Sequence, residues 1–404
     1  MTTPFTRGMA EATALTRAGK LGAATALIRS LLRPAGGEAA APDDGAVIDG
    51  TCTRIGDGNA AQSEARRTAP HQAPHKAPHQ APQKAPHKAP QKAPRNGLAE
   101  TLRGIAAGGM PARGPLAPAG PAVPAGAAFL TLAHVGPEGR RDYRLYVPAN
   151  RGAAPMPLVV MLHGCTQTPE DFAIGTGMNA LAEAAGFLVA WPAQPQGANA
   201  QKCWNWFRPG DQTRGAGEPA LIAGILRDVL RDHGGDRRRV YVAGLSAGGA
   251  AAAIMGAAYP DLVAAVGVHS GLPVGGARDI PSAFAAMRSG AGATAQRIAV
   301  PAIVFHGLAD TTVHPGNGAA VIAQAVAAQA GLTEALVSGR AAGGRPYRLT
   351  RHADAAGRTV AEFWEIDGAG HAWAGGHPAG SFTDPGGPDA SREMLRFFSQ
   401  HRLA

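Results

Sequence analysis

The chain has 404 residues, 45% hydrophobic and 17% charged, so it can bury a large core, which excludes a wholly disordered or fibrous protein. Its formal net charge of +9 is uneven: residues 1–128 carry 15 Lys+Arg against 8 Asp+Glu, and residues 129–404 carry 23 against 21. The basic character therefore belongs to an N-terminal arm, and no run approaches the ~20 consecutive apolar residues of a membrane-spanning helix.

Along residues 1–33, the apolar positions Leu15, Leu21, Ala24, Leu27, Ile28, Leu31 and Leu32 recur at mixed three and four spacing, with Arg17, Lys20 and Arg29 between them. This pattern predicts one amphipathic helix, which docks on its own body or a partner or lies on a hydrophobic granule. The same charges, with Glu11, interrupt any apolar core of a secretory signal, so by that test the chain starts in the cytoplasm. Residues 34–128 are expected to be a disordered linker rich in Pro, His and Lys. Within it, seven Ala-Pro pairs recur every four residues from Ala69 to Pro94. A proline in each helical turn removes a donor and clashes with the preceding turn, so the segment must be extended, largely polyproline II. His71, His75, His79 and His87 would align as metal ligands only on a helix that these prolines forbid, so no metal and no cofactor is expected. A basic arm raises the question of nucleic acid, but it lacks interleaved aromatics and any recognition motif, and no such partner is expected.

From Phe129 the pattern changes. Strands are predicted at Phe129–His134, Tyr143–Val147, Leu158–Leu162, Phe187–Trp191, Val240–Gly244, Val263–Val268, Ala302–Phe305 and Glu362–Ile366. Helices are predicted at Asp171–Ala185, Pro219–Asp232, Gly248–Ala258, Gly316–Ala328 and Ala390–His401. Short apolar strands alternating with helices predict an α/β body over residues 129–404, a mostly parallel doubly wound sheet with helices on both faces and an antiparallel start.

Gly244-Leu245-Ser246-Ala247-Gly248 follows a strand pattern and opens a helical one. This is the context in which G-x-S-x-G forms a sharp turn that exposes a nucleophilic serine. A serine hydroxyl needs a base, and the base needs an acid that fixes its tautomer. In α/β-hydrolases these follow the serine in the order acid, then histidine. Asp310, just past Ala302–Phe305, and His371, in a Gly-rich loop past Glu362–Ile366, fill the two roles; Asp367 and His377 are the rivals. The oxyanion requires two preorganised donors. The N–H of Ala247 supplies one, and that of Cys165, after the buried strand Leu158–Leu162, supplies the other, with Thr166 as an additional candidate. His163 is read as shaping this loop.

Five motifs in this order carry a family resemblance: His163-Gly164-Cys165-Thr166-Gln167, Cys203-Trp204-Asn205-Trp206, Gly244-Leu245-Ser246-Ala247-Gly248-Gly249, His306-Gly307-Leu308-Ala309-Asp310 and Gly370-His371-Ala372-Trp373. From about Phe129 to Ala404 the chain resembles the polyhydroxybutyrate depolymerase esterases of the α/β-hydrolase superfamily, which include polyhydroxyalkanoate depolymerases, feruloyl esterases and acetylxylan esterases. The resemblance implies a Ser246, Asp310, His371 triad, an oxyanion hole including Cys165, and an extracellular setting. It does not fix the ester. Secreted depolymerases of this type often append a polymer-binding domain, which this sequence does not show after its last helix.

Two features stay open at this level. Cys165 and Cys203 either form a disulfide that braces the oxyanion loop or are two buried thiols. Trp204, Trp206 and Trp373 either wall an apolar acyl pocket or pack in the core. The expected activity is that of a serine esterase acting through an acyl-enzyme on 3-hydroxyalkanoate polyesters, with feruloyl or acetylxylan esters as the alternative. A rival of another class is a granule-binding protein on a vestigial hydrolase body.

Overall fold

The computed structural model describes Leu27 and residues 120–404, except residues 293 and 328. Apart from Leu27, which is helical, the expected N-terminal helix lies outside the described residues, as do the linker up to residue 119, its four histidines and Cys52.

From residue 128 onward the chain builds a ten-stranded sheet. The strands are β1 (Ala128–Gly136), β2 (Gly139–Val147), β3 (Met156–Leu162), β4 (Leu188–Pro192), β5 (Gly235–Leu245), β6 (Ala265–His269), β7 (Ala302–Gly307), β8 (Thr333–Arg340), β9 (Pro346–Ala353) and β10 (Thr359–Ile366). Their order across the sheet is β1-β2-β4-β3-β5-β6-β7-β10-β9-β8. The six strands from β4 to β10 in this order run parallel, while β1 and β2 at one side and β9 and β8 at the other are antiparallel.

The parallel strands read as continuous apolar runs because both of their faces are covered. Leu158, Val160 and Leu162 of β3 and Val240 and Val242 of β5 pack on one side. Their neighbours Val159, Met161, Tyr241, Ala243 and Leu245 pack on the other, as the two-residue period of a strand requires. The first face is covered by α3 (Gly217–Asp232), α4 (Ala247–Ala258) and α6 (Gly316–Val326). The second is covered by α1 (Pro169–Thr176), α2 (Met178–Ala185) and α7 (Ala390–Phe398). A further helix, α5 (Ile280–Ser289), follows β6, and a short parallel pair, β11 (Trp373–Ala374) and β12 (Thr383–Asp384), follows β10.

Several boundaries differ from the sequence reading. The single helix expected over Asp171–Ala185 is two helices, because Gly177 takes φ +63° and turns the chain. The strand expected at Val263–Val268 is Ala265–His269. The hairpin β8–β9 and α5 were not anticipated: β8 is an edge strand with almost every side chain exposed, so its sequence carries no buried alternation.

Candidate active site

In a parallel sheet the loops at the carboxyl ends of adjacent strands open onto one edge. Ser246 directly follows β5, Asp310 lies just beyond β7 and His371 just beyond β10. Since β5, β6, β7 and β10 are successive neighbours, these three residues belong to loops of the same edge.

Ser246 sits at φ +59°, ψ −119°, between the last residue of β5 and the first of α4. A non-glycine residue held there costs on the order of 1–3 kcal/mol and persists only where its surroundings over-determine it. Here the Ser246 N–H donates to the His269 carbonyl at 2.8 Å, and the Ser246 carbonyl accepts from Ala250 N at 3.0 Å. The flanking glycines permit the sharp turn. A Cβ on Gly248 would lie 2.0 Å from the Leu162 carbonyl oxygen, and one on Gly244 would lie 2.4 Å from Gly248. The spacing of small residues in G-x-S-x-G is thus a packing requirement between β3, β5 and α4.

Of the histidine and acid candidates, the structure brings together His371 and Asp310. His371 Nδ1–H donates to Asp310 Oδ2 at 2.7 Å, which leaves Nε2 without the proton in the neutral ring, the tautomer a general base needs. Asp310 Oδ1 accepts the N–H groups of Thr312 and Val313, both at 2.8 Å. Burial acts to raise the Asp310 pKa, but hydrogen bonds from His306, His371 and the Val313 N–H outweigh it and hold the carboxyl well below its usual range. The rivals are elsewhere occupied or exposed: the His377 ring accepts from Ala379 N at 3.2 Å, and Asp367 lies at the surface.

The oxyanion candidates divide in the same way. Thr166 N–H is committed to the Gln201 carbonyl at 2.7 Å, which removes Thr166 as a donor. Ala247 opens α4, so no preceding carbonyl of the helix takes its N–H. Cys165 follows Gly164, whose own N–H donates to Gln167 Oε1 at 2.9 Å. A disulfide joins Cys165 to Cys203 with the Cα atoms 4.2 Å apart, tying the oxyanion loop to the Cys203-Trp204-Asn205-Trp206 segment. Beneath the loop, His163 Nδ1–H donates to the Gly164 carbonyl at 2.8 Å and Nε2 accepts from Gln194 N at 3.1 Å. Complete burial lowers its pKa to about 4, so it is a neutral strut rather than a proton carrier.

The described family of PHB depolymerase esterases matches this chain over residues 141–347, the span that holds the elbow, the acid and both cysteines. The chain belongs to this family. It is 35% identical over 254 residues to poly(3-hydroxyalkanoate) depolymerase C of Paucimonas lemoignei, a match covering 59% of this chain and 57% of that protein. It is 32% identical over 193 residues to feruloyl esterase B of Thermothelomyces thermophilus, covering 42% and 64%. With acetylxylan esterase A of Talaromyces purpureogenus it shares 30% identity over 194 residues, covering 43% and 50%. The chain thus spans between 50% and 64% of the length of these curated relatives. Acetyl xylan esterase from Aspergillus awamori superposes on 68% of this chain and 99% of its own, with a TM-score of 0.53 at 22% identity, which shows the α/β-hydrolase fold.

Within this family member the three tryptophans are buried in the core. Trp204 is fully buried with Nε1–H donating to the His163 carbonyl at 3.1 Å, and Trp373 is buried with Nε1–H donating to Ser391 Oγ at 3.0 Å. Trp206 is buried against Phe207, ring edge to face at 5.8 Å. They stand behind the site: Trp204 holds the oxyanion loop, and Trp373 stacks on His269 at 5.1 Å.

Sequence reasoning did not single out the residues that fix these loops. His269 presents its carbonyl to Ser246, accepts Ala374 N–H on Nε2 at 2.9 Å, and is held neutral by burial, its pKa lowered to about 3. His306 Nε2–H donates to the Val313 carbonyl at 2.9 Å and lies 3.5 Å from Asp310 Oδ2, closing the turn that carries the acid. Gln167 Nε2 reaches Asp171 Oδ2 at 3.0 Å and the Ser381 carbonyl at 3.1 Å, linking the oxyanion loop to the loop beyond His371. Glu218 accepts Asn205 N at 2.7 Å and Asn205 Nδ2 at 2.6 Å, which anchors the segment that carries Cys203. His306 and Gln167 fall within motifs read from the sequence but without a role there; His269 and Glu218 left no signal, since their bonds join separate segments.

Proposed function

We propose that this chain is a serine esterase that cleaves carboxylic esters through an acyl-enzyme. Ser246 Oγ attacks the ester carbonyl while His371 Nε2 takes its proton. The ring, now an imidazolium, is stabilised by Asp310 and returns the proton to the departing alcohol. The N–H groups of Cys165 and Ala247 receive the negative charge that develops on the carbonyl oxygen. Water then attacks the acyl-enzyme by the same route. The observation that carries this reading is the 2.7 Å hydrogen bond between His371 and Asp310, on loops three and two strands along from a serine held at positive φ.

The proposed substrate is a 3-hydroxyalkanoate polyester or its oligomers, supported by the similarity to poly(3-hydroxyalkanoate) depolymerase C. Aryl or acetyl esters of plant polysaccharide are the second reading, supported by the feruloyl and acetylxylan esterase relatives. Adsorption to a hydrophobic granule is assigned to the basic amphipathic segment Met9–Leu32; deletion of residues 1–95 that left polymer binding unchanged would remove that part. Wild type and Ser246→Ala, assayed on p-nitrophenyl butyrate and hydroxybutyrate trimer beside feruloyl and acetylxylan esters, test the whole. The wild type is expected to cleave the first two and the variant neither; a wild type inactive on every ester sinks the proposal.

A further inference from the structure

Two large apolar side chains stand exposed, one on the loop that carries Asp310 and one on the loop after β11, the short strand that follows His371. Leu308, two residues before Asp310, is 44% exposed, and Phe382, in the loop between β11 and β12, is 47% exposed. Phe382 is also held at φ +52°. In that region the Cβ of an L residue crowds the backbone carbonyl, so glycine or asparagine is favoured and a bulky aromatic is an outlier. Burial does not compensate, since half of the ring faces solvent.

The conformation is imposed from both sides. Ser381 N–H donates to Asp171 Oδ1 at 2.9 Å, the Phe382 carbonyl accepts Trp373 N–H at 2.7 Å, and Thr383 pairs with Trp373 in β11–β12. The Ser381 carbonyl accepts from Gln167, whose Oε1 takes the Gly164 N–H next to Cys165. Phe382 is therefore braced between the Gly164–Gln167 segment and the strand that follows His371, with about half of the residue left to solvent. Leu308, two residues before Asp310, is fixed by its N–H bond to the Ile366 carbonyl at 2.9 Å.

We infer that Phe382, with Leu308, is an apolar contact for the part of the substrate chain that extends beyond the scissile ester, and that it selects long hydrophobic esters over short ones. This rests on the esterase reading above and deepens it. The backbone strain is maintained for substrate contact rather than for folding, as expected where an outlier serves a site.

The test compares full-length wild type, Phe382→Asn and Phe382→Tyr on hydroxybutyrate trimer and on p-nitrophenyl acetate, whose acyl group is too short to reach past the first unit. The ratio of kcat/KM on the trimer to that on the acetate is expected to fall about tenfold in Phe382→Asn, mainly through KM, and to be restored in Phe382→Tyr. Melting temperature is expected to hold or rise in Phe382→Asn, because asparagine tolerates positive φ. An unchanged ratio, or a lowered melting temperature with equal losses on both esters, overturns the inference. Should the wild type leave the trimer intact, the polyester reading falls by itself; p-nitrophenyl octanoate against acetate then decides the Phe382 contact by the same ratio.

Discussion

Lowering the pH from about 7 to about 4 loads protons onto two imidazoles that the folded chain holds neutral. Burial takes the pKa of His163 from 6.5 to about 4 and that of His269 from 6.5 to about 3. The folded values lie below the unfolded ones, so the unfolded chain takes up protons first. The stability these groups confer is complete above the unfolded value and is lost as pH falls through 6.5 toward each folded value. By about pH 4 each site has lost about 3 kcal/mol, and the pair about 6, a large share of the ~5–15 kcal/mol that separates folded from unfolded domains. His401, lowered to about 4 chiefly by burial, acts in the same direction, while Glu218, raised by burial, opposes it. Urea denaturation at about pH 7, 5.5 and 4 reads the effect directly, and His269→Gln should reduce the loss between the first and last by about 3 kcal/mol. A free energy of unfolding that stays flat across this range would refute the reasoning, because it would require both rings to titrate normally while buried.

Other consequences are equally local. Gly248→Ala should cost about 3 kcal/mol or more and abolish esterase activity, since its Cβ would meet two backbone carbonyls; thermal melting and activity check it. His306→Asn should lower kcat about 100-fold with KM little changed, because Asp310 loses the turn that aims it at His371, and should cost about 1–3 kcal/mol of stability, because a buried bond to the Val313 carbonyl is lost; steady-state kinetics well below the melting range separate the two effects. Reduction of the Cys165–Cys203 bridge, or Cys203→Ser, should remove about 4 kcal/mol of stability for a 38-residue separation and lower kcat as the Cys165 N–H loses its tether; unfolding and activity measured with and without dithiothreitol test it.

The parts of the fold that could be read from the sequence are those whose side chains are buried on a regular period. The strands β3 and β7 are continuous apolar runs because both faces are covered, and each emerges at nearly its observed bounds, whereas β5 begins five residues before the expected Val240, in the polar run Gly235–Arg239 that carries no apolar signal. β8 could not be read because an exposed edge strand has nothing to alternate against, and the break at Gly177 was hidden because apolar spacing continues across it. At the candidate site, the turn at Ser246 and the bond between His371 and Asp310 follow the order read from the sequence, because each residue sits just beyond a strand of the parallel sheet. The supports were not legible in it. The Gln167–Ser381 bond joins residues 214 positions apart, and the Ser246 N–H to His269 carbonyl bond uses backbone atoms that every residue possesses. The tryptophans illustrate the converse: an aromatic beside a motif is compatible with pocket or core, and it is their burial, with N–H partners for Trp204 and Trp373, that places them in the core.

The most direct test of the account is intact-mass and peptide mapping of the enzyme during turnover of p-nitrophenyl butyrate, with rapid acid quenching. One butyryl group is expected on Ser246, formed in a burst with p-nitrophenol release and absent from Ser246→Ala. An acyl group on another residue, or turnover retained in Ser246→Ala, would contradict it.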